Sequence, residues 1–355
     1  MDYLSRQQQL RRALQDERLD GLLVTHPANL RYLCGYTGSN GLLLCLGDGC
    51  TFFTDGRYTQ QAREEVRGAR VVIAKGALTQ AAGIQLPAKS ALRIGFEADL
   101  TTVTAAAALR KALPRKVTLK PAAGLIMRQR IVKDPEEVQL IRRAVDLGAR
   151  VYKMALRHLR PEVSESAVAG RLEFAARADG MSFDTIVAGG KRSALPHGRA
   201  TAQPIPRRGF VVVDSGVILR GYCSDMTRTV HVGRIGREER KWYEAVLQAQ
   251  LAGIAAVKPG QLAGEVDKAA RQVLRRARLD RYFTHSTGHG VGLEIHEPPR
   301  LGKGQSEELR PGMVITIEPG IYIPSKGGIR IEDMVAVTER GCEVLTPAPK
   351  DLVEI

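Results

Sequence analysis

Short apolar runs alternate with helical stretches along the first third of this chain. Residues 5–17 read as a helix, Leu22 to Thr25 as a short buried strand, and Leu42 to Leu46 with Thr51 to Thr54 as a hairpin around Gly47-Asp-Gly49. Helical patterns follow near 59–66 and 101–112, separated by the apolar runs Val71-Val-Ile73 and Leu92-Arg-Ile94. The alternation predicts an α/β domain over residues 1–125.

A second pattern begins after 125–133. Asp134-Pro135-Glu136-Glu137 supplies an N-cap, a proline at the first helical position and a capping-box glutamate. The apolar positions Ile141, Val145, Gly148, Val151, Tyr152, Ala155 and Leu159 then keep a 3.6-residue period, which predicts a long helix running until Pro161. Further helices are predicted near 165–178, 238–257 and 263–278, alternating with strands, so residues 134–355 are expected to form a separate α+β domain.

Those strands carry acids. Asp214 ends the run Phe210-Val-Val-Val213 and is followed by Ser-Gly, and Asp225 stands just before the strand-like Met226 to Val232. A hairpin turning near Arg220-Gly221 would bring the two together. Glu318 closes Val314-Ile-Thr-Ile317 ahead of Pro319-Gly320, and Glu332 follows Ile329-Arg-Ile331. Any one of these acids alone would be expected to end a strand and face solvent. Four of them at core-like strand positions require cations, because a buried carboxylate without a partner costs several kcal/mol in effective terms.

His289 adds an imidazole between Gly288 and Gly290. His285 stands four residues earlier, the spacing of a zinc-binding helix, yet the surrounding glycines argue for a loop. Oxygen-rich ligation with one imidazole favours Mn²⁺, with Co²⁺ or Zn²⁺ able to substitute. Two such ions about 3.5–4 Å apart would make a shared water nucleophilic near neutral pH, which points to hydrolysis without a covalent intermediate.

The segments Ser193-Ala-Leu-Pro-His197-Gly198, Asp214 to Thr229, His285-Ser-Thr-Gly-His289-Gly-Val-Gly-Leu-Glu-Ile-His296-Glu-Pro, Thr316-Ile-Glu318-Pro-Gly320 and Arg330-Ile-Glu332-Asp resemble the metallopeptidase family that holds prolidase and aminopeptidase P. Gly21 to Asn29, Tyr32 to Tyr36 and Phe53 to Tyr58 resemble that family's N-terminal domain, so the likeness covers nearly the whole chain. It implies a pita-bread catalytic domain behind a smaller α/β domain. It also implies that Asp214 binds one metal, His289 and Glu318 the other, and that Asp225 and Glu332 bridge them. His197 and His296 would contact the substrate carbonyl and the developing oxyanion. His285 and Arg330 would line the pocket for the proline side or the substrate carboxylate, and Glu318 would serve as general base. His26, His158 and His231 lack such context and are given no role.

The implied reaction is cleavage between an N-terminal residue and proline, by a homodimer. The central motifs are closer to the compact microbial prolidases than to aminopeptidase P, which implies dipeptide substrates, with longer peptides the alternative. A non-catalytic binding protein on the same fold, or metal-independent chemistry such as creatine hydrolysis, is opposed by the intact ligand set. A simple methionine aminopeptidase would have no place for the N-terminal domain.

Composition changes this picture little. A net charge of +15 invites a nucleic-acid reading, but the 53 basic residues are spread along the 355-residue chain and no stacking or base-reading motif accompanies them. No specific nucleic acid is expected, only a solvated basic surface. The five cysteines show no CxxC spacing and read as reduced thiols. Without a signal-like start or an apolar stretch long enough to span a bilayer, a cytoplasmic protein is expected.

Overall fold

The computed structural model describes residues 1–87, 91–176 and 180–355. They form two compact units, Met1–Arg130 and Ile131–Ile355. The first is built on a six-stranded sheet in the order Ala69–Ala74, Gly49–Asp55, Leu42–Leu46, Gly21–Val24, Arg93–Glu97, Thr118–Ala122. Gly21–Val24 pairs antiparallel with Leu42–Leu46 and parallel with Arg93–Glu97, and the parallel pairing needs the long crossover connection between them. Leu23, Leu44, Phe53 and Ile94 pack there with Ala82, Leu109 and Leu113.

Several elements of this unit lie outside the sequence expectation, among them two helices and an edge strand. The helices Pro27–Cys34 and Leu78–Gln85 have eight residues each, too few for a period to show. The first is nevertheless punctuated, by Pro27 at its start and by Gly35 in the left-handed region at its end (φ 82°). The strand Thr118–Ala122 contains Pro121, which is tolerated because the strand lies at the sheet edge.

In the second unit the helix Pro135–Leu156 opens with the expected capping box. Asp134 Oδ1 accepts from the Glu137 N–H, and Glu137 Oε2 accepts from the Asp134 N–H, each at 2.9 Å. The helix stops at Leu156 and does not reach Pro161. Leu159 keeps the apolar period because a turn folds it back into the core that holds Val151 and Ala155. The next helix is Glu165–Ala175; positions 177 and 178 of that expectation lie outside the described residues.

The strands behind these helices carry the acids. Gly209–Ser215 is central in a three-stranded sheet, between Ile186–Gly189 and Met226–Val232. Asp214 stands opposite Thr227. Arg220 and Gly221 both have positive φ (48° and 79°), the requirement of a tight hairpin turn, here between Ile218–Leu219 and Tyr222–Cys223. A five-stranded sheet runs Glu297–Leu301, Gly288–Gly290, Val314–Ile317, Asp333–Val337, Cys342–Val344.

The segment around His289 is therefore a central strand and not the expected loop. Its glycines are required by the neighbouring strands, since a Cβ at Gly288 would sit 1.9 Å from the Thr316 carbonyl oxygen and one at Gly290 would sit 2.1 Å from that of Pro298. Among the described residues, no helix is long and apolar enough to cross a membrane.

The capping box makes a contribution separable from the chemistry. Asp134→Ala is expected to destabilise the catalytic unit by about 1 kcal/mol, the usual loss for an N-cap, while leaving turnover unchanged. Urea midpoints measured beside kinetics check both halves of that expectation.

Candidate metal centre

All nine residues singled out in the sequence line one cavity of about 850 Å³: His197, Asp214, Asp225, His285, His289, His296, Glu318, Arg330 and Glu332. Asp214, His289 and Arg330 lie within strands, Asp225, His296, Glu318 and Glu332 each stand one residue from a strand, and His197 and His285 come from loops. Donor atoms of Asp225, His289 and Glu332 lie within 4.8 Å of one another. His289 Nε2 is 3.6 Å from Asp225 Oδ2 and 3.5 Å from Glu318 Oε1. The His296 ring meets His289 edge to face, with centroids 4.4 Å apart.

Arg330 holds the rear of this cluster. Its guanidinium donates to Asp214 Oδ2 (2.6 Å), Thr227 Oγ1 (3.0 Å), the Pro196 carbonyl (3.0 Å) and Tyr322 Oη (2.6 Å). The Tyr322 hydroxyl also lies 2.9 Å from His285 Nε2. Arg330 is thus buried and largely committed within the protein.

Three positions that hold the site together were missed in the sequence. Thr227 Oγ1 donates to Glu332 Oε2 (2.7 Å) while accepting from Arg330, and its carbonyl accepts from the Glu332 N–H (3.1 Å). Tyr322 joins His285 to Arg330. Asp267 accepts from Thr287 Oγ1 (2.8 Å) and from Arg271 (2.8 Å), and Arg271 reaches on to the His285 carbonyl (2.8 Å). A threonine or tyrosine within a β-branched run carries the signal of an ordinary strand residue, so pattern alone could not separate them. The helical i,i+4 spacing of Asp267 and Arg271 was visible, but surface helices show the same spacing.

The electrostatics follow from crowding. Burial, then the charges of Glu332, Asp214 and Glu318, push the Asp225 carboxyl well above its ordinary range. Glu332 is raised in the same way, by burial first and then by Glu318 and Asp214. Glu318 is pushed up to about 8, mainly by burial. Burial lowers His289 and His285 to about 4 and also lowers His296, so these imidazoles are neutral at physiological pH.

This donor set fits divalent cations. It offers carboxylate oxygens with one neutral imidazole, and Asp214 Oδ1 is buried without a hydrogen-bond partner although Oδ2 is held by Arg330.

The sequence profile of metallopeptidase family M24 matches residues 139–339, more than half of the chain. The chain belongs to metallopeptidase family M24. Ahead of the M24 region, the profile of the Creatinase/Prolidase N-terminal domain matches residues 6–132. The chain is 35% identical to the Xaa-Pro dipeptidase of Pyrococcus furiosus over 98% of its own length and 99% of the relative's. Among solved structures it is similar to the Xaa-Pro dipeptidase from Bacillus anthracis, with a TM-score of 0.96 at 38% identity and all of both chains covered. It is also similar to an X-Pro aminopeptidase from Thermotoga maritima, with a TM-score of 0.89 at 31% identity, covering 97% of this chain and 100% of that one. As an M24 member with the pita-bread architecture, the protein is a peptidase whose hydrolysis depends on divalent metal ions.

The crowding of carboxylates has a pH signature. A carboxyl whose folded-state pKa is raised stabilises the fold fully below its ordinary range, and that contribution is lost as pH rises through the raised value. For Glu318 the loss runs from the ordinary 4.5 to about 8. The lowered histidines act oppositely: their contribution is present above 6.5 and is lost as pH falls toward about 4. Above pH 6.5 the carboxylate part alone still changes. The gap in melting temperature between M24 protein loaded with metal and the same protein stripped by chelator is therefore expected to widen from pH 6.5 to 8. Calorimetry on both forms tests this, and a constant gap would contradict the assignment of the crowding to these carboxyls.

Proposed function

We propose that this M24 peptidase is an Xaa-Pro dipeptidase whose two divalent ions are held by Asp214, Asp225, His289, Glu318 and Glu332. The observation that carries the reading is the convergence of four carboxylates and one neutral imidazole on a single cavity, with a buried, unsatisfied oxygen on Asp214. Asp214 would hold one ion and His289 with Glu318 the other, with Asp225 and Glu332 contributing to both. Bound there, two divalent cations act as Lewis acids toward the scissile carbonyl and bring the ionisation of water toward neutral pH. The preference of hard oxygen ligands favours Mn²⁺, with Co²⁺ or Zn²⁺ as substitutes.

The chain's own groups perform the rest. Glu318 accepts the proton of the attacking water and returns it to the prolyl nitrogen as the C–N bond breaks. His197 and His296 donate ring N–H groups to the substrate carbonyl and to the oxyanion that develops from it. His285 and Arg330 form the proline side of the cavity, where Tyr322 fixes both. The Xaa-Pro specificity rests on the likeness to dipeptidases that spans essentially the whole chain. A cytoplasmic homodimer belongs to the same reading; the five free cysteines agree with a reducing compartment.

Chelation is expected to abolish activity, and Mn²⁺ or Co²⁺ to restore it. Asp225→Ala and Glu332→Ala are each expected to lose metal and activity together. His296→Ala should keep its metal and lose roughly 10²–10³ in kcat, the usual cost of one oxyanion donor. Metal analysis beside kinetics separates the two classes, and full activity in rigorously metal-free protein would refute the mechanism.

Substrate length is decided by comparing kcat/KM for Ala-Pro and Ala-Pro-Ala. The dipeptide is expected to be preferred. Equal cleavage of the tripeptide would move the protein to the aminopeptidase side.

A further inference from the structure

Lys133 and Glu297 form an ion pair at 3.0 Å, with side chains only 1% and 0% exposed. Such a pair is a weak source of stability, since two apolar side chains of similar volume often serve the fold as well or better. Its position indicates a different use. Glu297 follows His296 directly in sequence and lines the same cavity.

The segment leading to His296 is wound around the Glu297 carboxylate. Oε1 accepts the Glu294 N–H at 3.1 Å, and Oε2 is held by Lys133 Nζ, which also donates to the Ile131 carbonyl at 3.4 Å. A Cβ at Gly292 would meet the carboxylate oxygens at 2.6 and 2.8 Å, so the backbone there is pressed against them. The Gly292 carbonyl in turn accepts from the Cys223 N–H at 2.8 Å, two residues before Asp225. Both ends of the turn are thus fixed.

His296 has no comparable hold of its own. The residue is partly open to solvent, and its ring makes no hydrogen bond among the described residues; the ring meets His289 edge to face. The direction of the imidazole is therefore set by the backbone of the 292–297 turn.

We propose that Lys133, acting through Glu297, is a positioning residue for His296: the buried pair fixes the turn that aims this imidazole at the reacting carbonyl. The inference rests on the role given to His296 above. It accounts for a charged pair in a place where apolar packing would serve the fold, because one carboxylate oxygen accepts the Glu294 N–H while Lys133 holds the other.

The test replaces both charges at once, so that neither is left buried alone. Lys133→Met with Glu297→Met is expected to melt within a few degrees of the parent, to keep the parent's metal content, and to lower kcat on Ala-Pro by about 10²-fold, approaching the loss of an oxyanion donor. KM should change by less than about 3-fold. Introduced into His296→Ala protein, the same double change should cost less than about 3-fold more, because residues acting as one unit are not additive. Glu297→Gln, which retains an acceptor for the Glu294 N–H, provides a milder second variant judged by the same non-additivity.

A second readout does not need turnover. In metal-free protein the His296 ring signals, assigned by their loss in His296→Ala and displaced by the neighbouring His289 ring, should move in the double variant toward those of a freely rotating histidine. Losses that multiply with that of His296→Ala, or His296 signals that stay in place, would overturn the proposal. Wild-type protein that fails to cleave Ala-Pro would count against the dipeptidase reading alone, and the ring signals would then decide the positioning role by themselves.

Discussion

A carboxylate keeps its charge in a protein interior only where a cation or a set of N–H and O–H donors stands beside it, and four carboxylates facing one cavity multiply that demand. Here the demand is met unequally. Asp214 has Arg330 at 2.6 Å and Glu332 has the Thr227 hydroxyl at 2.7 Å, while Asp225 faces the neutral His289 imidazole at 3.6 Å and Glu318 faces it at 3.5 Å with a long bond from the Thr316 hydroxyl at 3.4 Å. The repulsion left over is a standing preference for positive charge. It makes cation binding part of the folded state's energetics, since binding displaces protons from groups that would otherwise stay neutral.

The scaffold behind these acids is polar well into the interior. Arg228 is buried and donates to the carbonyls of Thr227 (3.0 Å) and Glu332 (2.5 Å) and to Asp333 Oδ1 (2.7 Å). Asp333 Oδ2 is also satisfied, by Gln250 (2.9 Å) and Lys350 (2.7 Å). These bonds join the strand of Thr227 to the segment of Glu332 at the backbone, so that a side chain donating between the two acts from a fixed base. A partly satisfied network would leave uncompensated charge in the core; a satisfied one holds a single geometry.

The parts of the molecule that were legible in the sequence are those whose chemistry conflicts with their setting. Acids at the ends of Val-rich runs and a histidine between glycines stand out because a strand core has no use for them, and all of these residues reach the one cavity. The supporting residues were hidden for the opposite reason. Thr227 and Tyr322 are ordinary strand residues whose hydroxyls matter only through partners distant in sequence, and Glu297 reads as one more acid after a histidine. Gly288 and Gly290 were legible as glycines but misread as a loop, because the demand on them comes from Thr316 and Pro298 on neighbouring strands. Short elements such as Pro27–Cys34 gave periodicity too little length to act on.

The order in which the chain is made adds a consequence of this dispersal. Asp214 and Asp225 are synthesised well before His289, Glu318 and Glu332, and Asp333 must wait for Lys350 near the end of the described sequence. At translation rates of ~5–20 residues per second, the first two acids spend on the order of ten seconds without the strands that complete their surroundings. An ion held jointly by the early and the late acids could therefore be chosen only after Glu332 has been made, from the pool present as the strands close and not from the one met while Asp214 was being added.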